Sequence, residues 1–300
     1  MRPQRSCSWR ALLVSAALLR AAVAAPESAG VPDPLSADPP PGLPAAQFVE
    51  LTIPSHGAQL YGVFYGAAGP GVHATIVLLH GFAGFEQNAD LAQVSRRAGF
   101  NVLIFHYRGA WGSTGAYSFG HCVEDTAAVL AYLRTPANAR RLAVDRERLL
   151  LLGHSVGGQI AGIVAAADPG VAGVGMISAA NRRLAQARPG WAEETRTRFQ
   201  GELGPLRGTS AAALVEELKR HAADWDLARL AASWGSRPVL IVSADDRFRD
   251  EDDAIAASVR AVDAAHLTTL HLSTDHAYSD SRVALARGLL QWLAQFSAVN

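Results

Sequence analysis

Short apolar runs along the chain alternate with longer stretches in which apolar residues recur at helical spacing. Buried strands are predicted at Thr75–Leu79, Asn101–Phe105, Arg148–Leu152 and Val171–Ser178. Helices are predicted between them, near Gln87–Ala98, near Val123–Leu133 and from Gly157 onward. Apolar strands that alternate with helices form a mainly parallel sheet covered on both faces. The pattern therefore predicts an α/β fold with a doubly wound sheet.

The segment before these runs has a different period. Phe48–Ile53 and Gln59–Tyr65 alternate apolar and polar residues around a Ser-His-Gly turn, which predicts an antiparallel β-hairpin. The preceding residues are rich in Pro, Ala, Asp and Ser and have little to bury. We therefore expect a linker over residues 25–45 and a folded domain over residues 46–300.

The alternation of strands and helices breaks between Ala180 and Ser236. This stretch is long for a loop, carries three tryptophans and includes a helical segment at Ala211–His221. We interpret about residues 181–235 as a helical lid inserted after the strand Val171–Ser178. Its many charges of both signs argue against bulk lipid and favour small or polar acyl substrates.

One strand-to-helix junction carries the clearest chemical signal. The aliphatic run Leu149–Leu152 is followed by Gly-His-Ser-Val-Gly, and Ile160–Ala167 has the pattern of a helix. Ser155 thus falls on a tight turn, where Gly153 and Gly157 avoid steric clashes between the strand and the helix. A serine in this position points above the sheet beside backbone N–H groups of a helix N-terminus. Ser155 is therefore the candidate nucleophile.

A nucleophilic serine needs a histidine that accepts its proton and an acid that orients the histidine. In this arrangement the acid and the histidine follow the serine along the chain. The apolar strand Pro238–Val242 leads to Asp245 and Asp246, and a later strand, Leu267–Leu272, leads to His276. Catalytic groups gather at the carboxyl ends of parallel strands. His276 is the candidate base, and either aspartate fits as the acid.

Four other histidines have less suitable positions. His266 and His271 follow Asp246 in the chain, but they fall at the edge of a predicted strand or inside it. His80 follows the first predicted buried strand, His154 lies in the Gly-His-Ser-Val-Gly motif, and both precede the acid in the chain. We therefore interpret them as residues that support the site through hydrogen bonds.

From about Phe48 to Phe296 the chain resembles the α/β-hydrolases, and in particular their serine-aminopeptidase, monoacylglycerol-lipase and esterase-like branch. The motifs that carry the resemblance are Gly-His-Ser-Val-Gly, His80-Gly81-Phe82 and Tyr107–Gly115. In that branch the acid usually stands three residues after a glycine that closes its strand. Ser243 occupies the place of this glycine, so the resemblance selects Asp246 over Asp245.

The same resemblance assigns the oxyanion hole, the pair of donors that stabilises the negative oxygen of the reaction intermediate. It implies that the backbone N–H groups of Phe82 and Val156 fill this role.

The charge and cysteine content limit which binding partners and which disulfide bonds are expected. The full chain has 27 basic and 27 acidic residues, and its only lysine is Lys219. Without the four arginines of residues 1–24, 23 basic residues face 27 acidic ones. No polybasic run is present, so nucleic acid is not an expected partner. Of the two cysteines, Cys7 lies in the N-terminal stretch and Cys122 would remain alone, which excludes an internal disulfide.

The first 24 residues have the three zones of a secretory signal peptide. Arginines at positions 2, 5 and 10 precede the apolar stretch Ala11–Leu19, and Ala22-Val23-Ala24 follows. Cleavage after Ala24 is favoured. The apolar stretch is too short to span a bilayer, so no stable membrane insertion is expected after processing. We expect a periplasmic or secreted protein, with an uncleaved anchor as the alternative.

These features together predict a serine hydrolase that cleaves an ester or amide of a small acyl substrate through an acyl-enzyme. The sequence does not distinguish an esterase, a lipase and an aminopeptidase. No H-E-x-x-H, G-x-G-x-x-G or P-loop pattern is present, so no metal and no cofactor are expected. The alternatives are an acyltransferase and a non-catalytic binding protein on the same fold.

Overall fold

The computed structural model describes residues 32–297, and the predicted signal peptide lies outside this range. Within it, the order of the strands across an eight-stranded sheet is β1-β2-β4-β3-β5-β6-β7-β8. The strands are β1 (Gln47–Ser55), β2 (Ala58–Gly66), β3 (His73–Leu79), β4 (Asn101–Phe105), β5 (Val144–His154), β6 (Val171–Ile177), β7 (Val239–Ala244) and β8 (Leu267–Leu272). The pairs β1–β2 and β2–β4 are antiparallel, and the pairs from β4 through β8 are parallel. The predicted hairpin and mainly parallel sheet are therefore confirmed.

Helices cover both faces of this sheet. In the described residues they are α1 (Ala89–Arg97), α2 (Phe119–Arg134), α3 (Pro136–Arg141), α4 (Val156–Ala167), α5 (Trp191–Glu202), α6 (Ala211–Arg220), α7 (Leu227–Leu230), α8 (Arg249–Asp263) and α9 (Arg282–Leu293). Among them, none is both long and apolar enough to pass through a lipid bilayer.

Each face of the sheet has its own hydrophobic core. In β5, Leu149 and Leu151 join the core formed with α2, α4 and α8, whereas Leu150 and Leu152 join the core formed with α1 and α9. Successive side chains of a strand point to opposite faces, so a run of four leucines supplies both cores. This arrangement confirms the doubly wound class.

Some elements differ from the expectation in their bounds. Strand β5 begins at Val144, four residues before the predicted start. The prediction missed these residues because most of their side chains are polar and not buried. Helix α8 was not predicted. Its first turn contains Asp250, Glu251 and Asp252, whose negative charges favour a helix N-terminus, and an apolar pattern alone does not reveal this.

The segment between β6 and β7 is helical and packs into the first core. It contains α5, α6 and α7, and Trp191 and Phe199 are buried in it. The Trp234 ring nitrogen donates a hydrogen bond to the carbonyl of Gly162 in α4, at 2.9 Å. The tryptophans of this segment therefore act at least partly as packing anchors.

Part of the stretch expected as a linker also contacts the domain. Leu35 packs against the second core, and the Arg97 side chain donates a hydrogen bond of 2.6 Å to the carbonyl of Pro34. The residues after Pro44 lead directly into β1.

Candidate active site

Ser155 connects β5 to α4 in a backbone conformation that serine rarely adopts. Its φ is 57° and its ψ is −120°. Three hydrogen bonds hold this turn: the Ser155 N–H donates to Ile177 at 2.8 Å, and its carbonyl accepts from Gln159 at 3.2 Å and from Ala180 at 2.9 Å. Such strain persists only where the surrounding structure fixes it, and it is concentrated at functional sites.

The two glycines around Ser155 have a steric cause. A Cβ at Gly153 would lie 2.1 Å from the carbonyl oxygen of Gly157. A Cβ at Gly157 would lie 2.1 Å from the carbonyl oxygen of Leu79, in the neighbouring strand β3. Any side chain at either position would collide with backbone, so the turn is built for glycine.

The two predicted oxyanion donors lie on either side of Ser155. A Cβ at Gly81 would be 3.1 Å from the Ser155 Cβ, so the loop after β3 passes close to the serine just before Phe82. Val156 is the first residue of α4, whose N-terminal N–H groups have no acceptor within the helix. Within residues 32–297, neither the Phe82 nor the Val156 N–H has a backbone acceptor. The two N–H groups thus have no acceptor among the described residues, as their predicted role requires.

An aspartate and a histidine form a close pair at the same edge of the sheet. The distance from His276 Nδ1 to Asp246 Oδ2 is 2.5 Å, and the Phe248 N–H donates to Asp246 Oδ1 at 2.8 Å. Burial would raise the pKa of Asp246, but the hydrogen bonds from His276 and Phe248 outweigh it and lower that pKa below its usual value. An ionised carboxylate only accepts hydrogen bonds, so Nδ1 carries the proton and Nε2 is left to accept one.

Asp245 has a different environment. Its side chain is 57% exposed and lies 3.3 Å from both Arg249 and His271. The two candidate acids thus diverge: Asp246 contacts His276, whereas Asp245 belongs to a surface ion pair.

The structure brings Ser155 and His276 to one edge of the sheet without a hydrogen bond between their side chains. Contact between the two loops goes through His154, whose Nε2 lies 2.8 Å from the carbonyl oxygen of His276. Burial, helped by nearby His276, lowers the pKa of His154 to about 3. His154 therefore stays neutral and donates this hydrogen bond. Serine–histidine contacts are often long before a substrate is bound.

His80 is a second neutral scaffold histidine. It is buried beneath the oxyanion loop, with Nδ1 2.8 Å from the Gly81 carbonyl oxygen, and burial lowers its pKa to about 4. Among the described residues, no group of three or more His, Cys, Asp or Glu side chains is arranged to hold a metal ion.

Comparison with known proteins identifies the family of this chain. The sequence model of the Alpha/beta hydrolase family matches residues 76–287, which is more than half of the chain. The chain belongs to this family. The match includes every residue of the candidate site.

Individual relatives are more distant from this α/β-hydrolase. The uncharacterized protein YfhR of Escherichia coli (strain K12) is 34% identical over 118 residues, which cover 38% of this chain and 39% of YfhR. The chain therefore aligns with about two fifths of that relative's length.

Solved esterases share the fold. EstE1, a thermostable carboxylesterase cloned from a metagenomic library, is 22% identical, with 85% of this chain and 91% of EstE1 covered at a TM-score of 0.60. Est1E from Butyrivibrio proteoclasticus, solved with ferulic acid, is 16% identical, with 82% and 98% covered at a TM-score of 0.64.

Two residues that sequence reasoning missed adjoin the site of this α/β-hydrolase. Phe248 packs its ring against His276, with a distance of 5.4 Å between ring centroids. Arg182 is buried just after β6 and lies over the ring of Phe248. The place of Phe248, two residues after Asp246, was a usable signal. Nothing in the pattern around Arg182 reveals its burial.

Proposed function

We propose that this protein is a serine hydrolase that cleaves an ester or amide of a small acyl substrate through an acyl-enzyme. The observation that carries the proposal is the strained Ser155 turn on the same sheet edge as the His276–Asp246 pair. A carboxylate-bound imidazole beside a serine on a strained turn is the arrangement that nucleophilic acyl transfer needs.

The proposed reaction has two halves. Ser155 Oγ attacks the substrate carbonyl carbon while His276 Nε2 takes its proton, and the N–H groups of Phe82 and Val156 stabilise the negative oxygen. The carbon–leaving-group bond then breaks, and His276 returns the proton to the leaving alcohol or amine. Water, deprotonated by His276, attacks the acyl-Ser155 ester and releases the carboxylic acid. Asp246 orients His276 and stabilises its charged form throughout.

An ester is the first substrate class to test. EstE1, which shares this fold, is described as a carboxylesterase. That description applies to EstE1, and it supports testing esters first here. We further propose that the helical segment between β6 and β7 acts as a lid, since its Phe199 ring packs 4.4 Å from the ring of Phe82 beside the site. Contact of this kind would let the segment select acyl groups and exclude water.

Export through residues 1–24 is part of the proposal. N-terminal sequencing of the protein recovered from cells should find Ala25 as the first residue. Recovery of the intact N-terminus in the membrane fraction would favour an uncleaved anchor instead.

The test of function is hydrolysis of para-nitrophenyl esters and aminoacyl anilides by purified protein. We expect ester hydrolysis by the wild type, and Ser155→Ala should lower kcat/KM by about 10⁴-fold or more because the covalent route is lost. Ser279→Ala is the matched control, since Ser279 is an exposed serine close to His276 in the chain. A folded wild type that cleaves neither class would favour a non-catalytic binding protein.

A further inference from the structure

Two arginines of the described chain are buried, and only one of them has an acidic partner. Arg108 Nε lies 2.6 Å from Asp125, and its terminal nitrogen also pairs with Glu124. Arg182 is only 3% exposed, yet no described carboxylate lies within 4 Å of its guanidinium. A buried arginine without an anion is costly and therefore calls for an explanation.

The contacts of Arg182 satisfy its side chain only in part. One terminal nitrogen donates to the carbonyl of Ala180 at 3.1 Å and to the Gln159 side chain at 3.4 Å. Its Nε is buried and has no hydrogen-bond partner. The guanidinium lies 5.7 to 5.9 Å from the centroids of Phe119, Phe199 and Phe248. Aromatic faces stabilise a cation, but they do not replace a missing acceptor.

Three further arginines line the same cavity of about 370 Å³ as Arg182, and two of them, Arg198 and Arg247, have no carboxylate partner among the described residues. Arg198 projects from α5 over the ring of Phe199, and Arg247 follows β7 and lies over the ring of Phe248. Neither has a described carboxylate within 4 Å. Burial, together with the charges of Arg198 and Arg247, lowers the pKa of Arg182 to about 9, so Arg182 is mainly charged at neutral pH.

Acidic side chains in the same cavity offset this cluster only in part, and Glu251 is the one whose charge acts on Arg182. Glu194 pairs with Arg188, at 3.3 Å. Glu251 accepts the N–H groups of Leu184 and Ala185 at 2.8 and 3.1 Å. Asp250 also lines the cavity, but it is exposed to solvent.

The cavity adjoins the candidate triad. Phe248 lines it and packs against the His276 ring. On the other side, Ala180 accepts a hydrogen bond from Arg182 through its carbonyl and donates one through its N–H to the carbonyl of Ser155. A group bound by the arginines would therefore lie within one small substrate's length of Ser155.

We propose that Arg182, Arg198 and Arg247 bind a carboxylate on the substrate, so that the enzyme prefers half-esters of short dicarboxylic acids over neutral esters. The inference rests on the proposed function, because it names the acyl group that the same site would take. A planar carboxylate matches the fork of a guanidinium, and its negative charge would offset the positive charge of the three arginines that have no described carboxylate within 4 Å.

The experiment compares matched esters. Para-nitrophenyl hemisuccinate, hemiadipate and hemisuberate are each paired with the neutral butyrate, hexanoate or octanoate, and the enzyme-free rate is subtracted. For the best pair we expect wild-type kcat/KM to favour the half-ester by about tenfold or more, the effect of a hydrogen bond to a charged group. A ratio at or below one for every pair would overturn the inference.

Variants assign the preference to the arginines. Arg182→Gln should lower the ratio of half-ester to neutral ester by about tenfold, and Arg182→Lys should restore part of it. Because Arg182 is buried and its substitution can impair folding, Arg247→Gln is a second test at an exposed position, where we expect a smaller fall. Arg196→Gln is the control, since Arg196 lies on α5 but pairs with Glu193 away from the cavity.

Failures of the two proposals look different. If the folded variants Arg182→Gln and Arg247→Gln keep the wild-type ratio, the carboxylate inference is wrong while the hydrolase proposal stands. If the folded wild type cleaves neither member of any pair, both proposals fail.

Discussion

The loops at the carboxyl edge of the sheet differ from the helical segment between β6 and β7 in whether their charged groups have partners of opposite charge. At the edge, Asp246 holds His276 at 2.5 Å, and Asp245 pairs with Arg249. In and beside the helical segment, Arg182 and Arg198 have no described carboxylate within 4 Å. The edge is electrostatically complete on its own, whereas the cavity next to it has an excess of positive charge.

This difference separates two parts of enzyme function. Chemistry requires groups that are fixed before the substrate arrives, because preorganised partners need no rearrangement in the transition state. Selectivity comes from groups whose interaction partner is the substrate itself. The correct substrate pairs with these groups, whereas a wrong substrate leaves them unpaired. The sheet edge fits the first role, and the arginine cavity fits the second.

The largest expected effect comes from breaking the pair at the sheet edge. Asp246→Asn should lower kcat by about 10⁴-fold, because an amide can donate to Nδ1 and favour the wrong histidine tautomer. Asp245→Asn is the matched control and should change kcat by less than about threefold, because its carboxylate is exposed and paired at the surface. Steady-state hydrolysis of one ester by both variants makes the comparison. A larger loss in Asp245→Asn would move the acid one residue toward the N-terminus.

A second effect concerns the connection between the two regions. The Glu217 carboxylate, on α6 of the helical segment, accepts the N–H groups of Phe119 and Gly120 at the start of α2, at 2.9 and 3.0 Å. Glu217→Ala leaves both donors without an acceptor and should lower the free energy of unfolding by about 1–3 kcal/mol. Thermal unfolding followed by circular dichroism measures it.

Glu216→Ala is the control for that experiment. Glu216 is exposed and forms only a surface pair with Lys219, so its loss should have an effect of less than about 1 kcal/mol. Equal losses in the two variants would mean that Glu217 does not anchor the segment to α2.

The smallest effect involves Asp252, a buried carboxyl group near the sheet edge that lacks a full set of partners. Asp252 in α8 accepts the Ala179 N–H at 3.0 Å through Oδ1, but its buried Oδ2 has no partner. Burial raises the pKa of Asp252 well above its usual value, and the charges of Asp246 and Asp253 add to this. A carboxyl group whose pKa is raised in the folded state stabilises the fold below its unfolded pKa of about 3.9. This contribution to stability is lost as pH rises through the folded pKa.

Asp252→Asn removes this loss and should raise Tm by about 2–4 °C at neutral pH for each kcal/mol regained. The Tm difference from wild type should shrink as pH falls toward about 4, because the folded wild-type carboxyl is already protonated there and the unfolded one is beginning to bind its proton. Asp224→Asn is the control, because Asp224 is exposed on the helical segment and does not contribute to the raised pKa of Asp252. A Tm difference that stays constant with pH would show that the Asp252 carboxyl does not titrate in this way.

The sequence was most informative at positions where a single physical requirement determines the residue type. The leucines before Gly153 could only supply a strand buried on both faces, and the two glycines mark a turn that excludes side chains. The strand ends then fix which loops meet, which is why His276 and the pair Asp245 and Asp246 could be chosen as candidates, and the family resemblance then selected Asp246. The pairing of Asp246 and His276 in the structure is consistent with that choice, whose catalytic role stays a prediction.

Features that depend on several distant segments could not be predicted in this way. The isolation of Arg182 depends on three rings from α2, α5 and the loop after β7, and no local pattern encodes their meeting. The early start of β5 likewise depends on a distant segment, because Val144 pairs with His73 of β3 and the register then shifts before Leu149, which the composition of residues 145–148 does not indicate.

The central claim is that Ser155 is an activated nucleophile, and covalent labelling tests it most directly. A fluorophosphonate reacts quickly only with an activated serine, and the adduct can be located by peptide mass spectrometry. The account predicts one adduct per chain, on Ser155, with labelling much slower in His276→Gln. An adduct on a different serine, or no adduct on folded protein that cleaves esters, would contradict it.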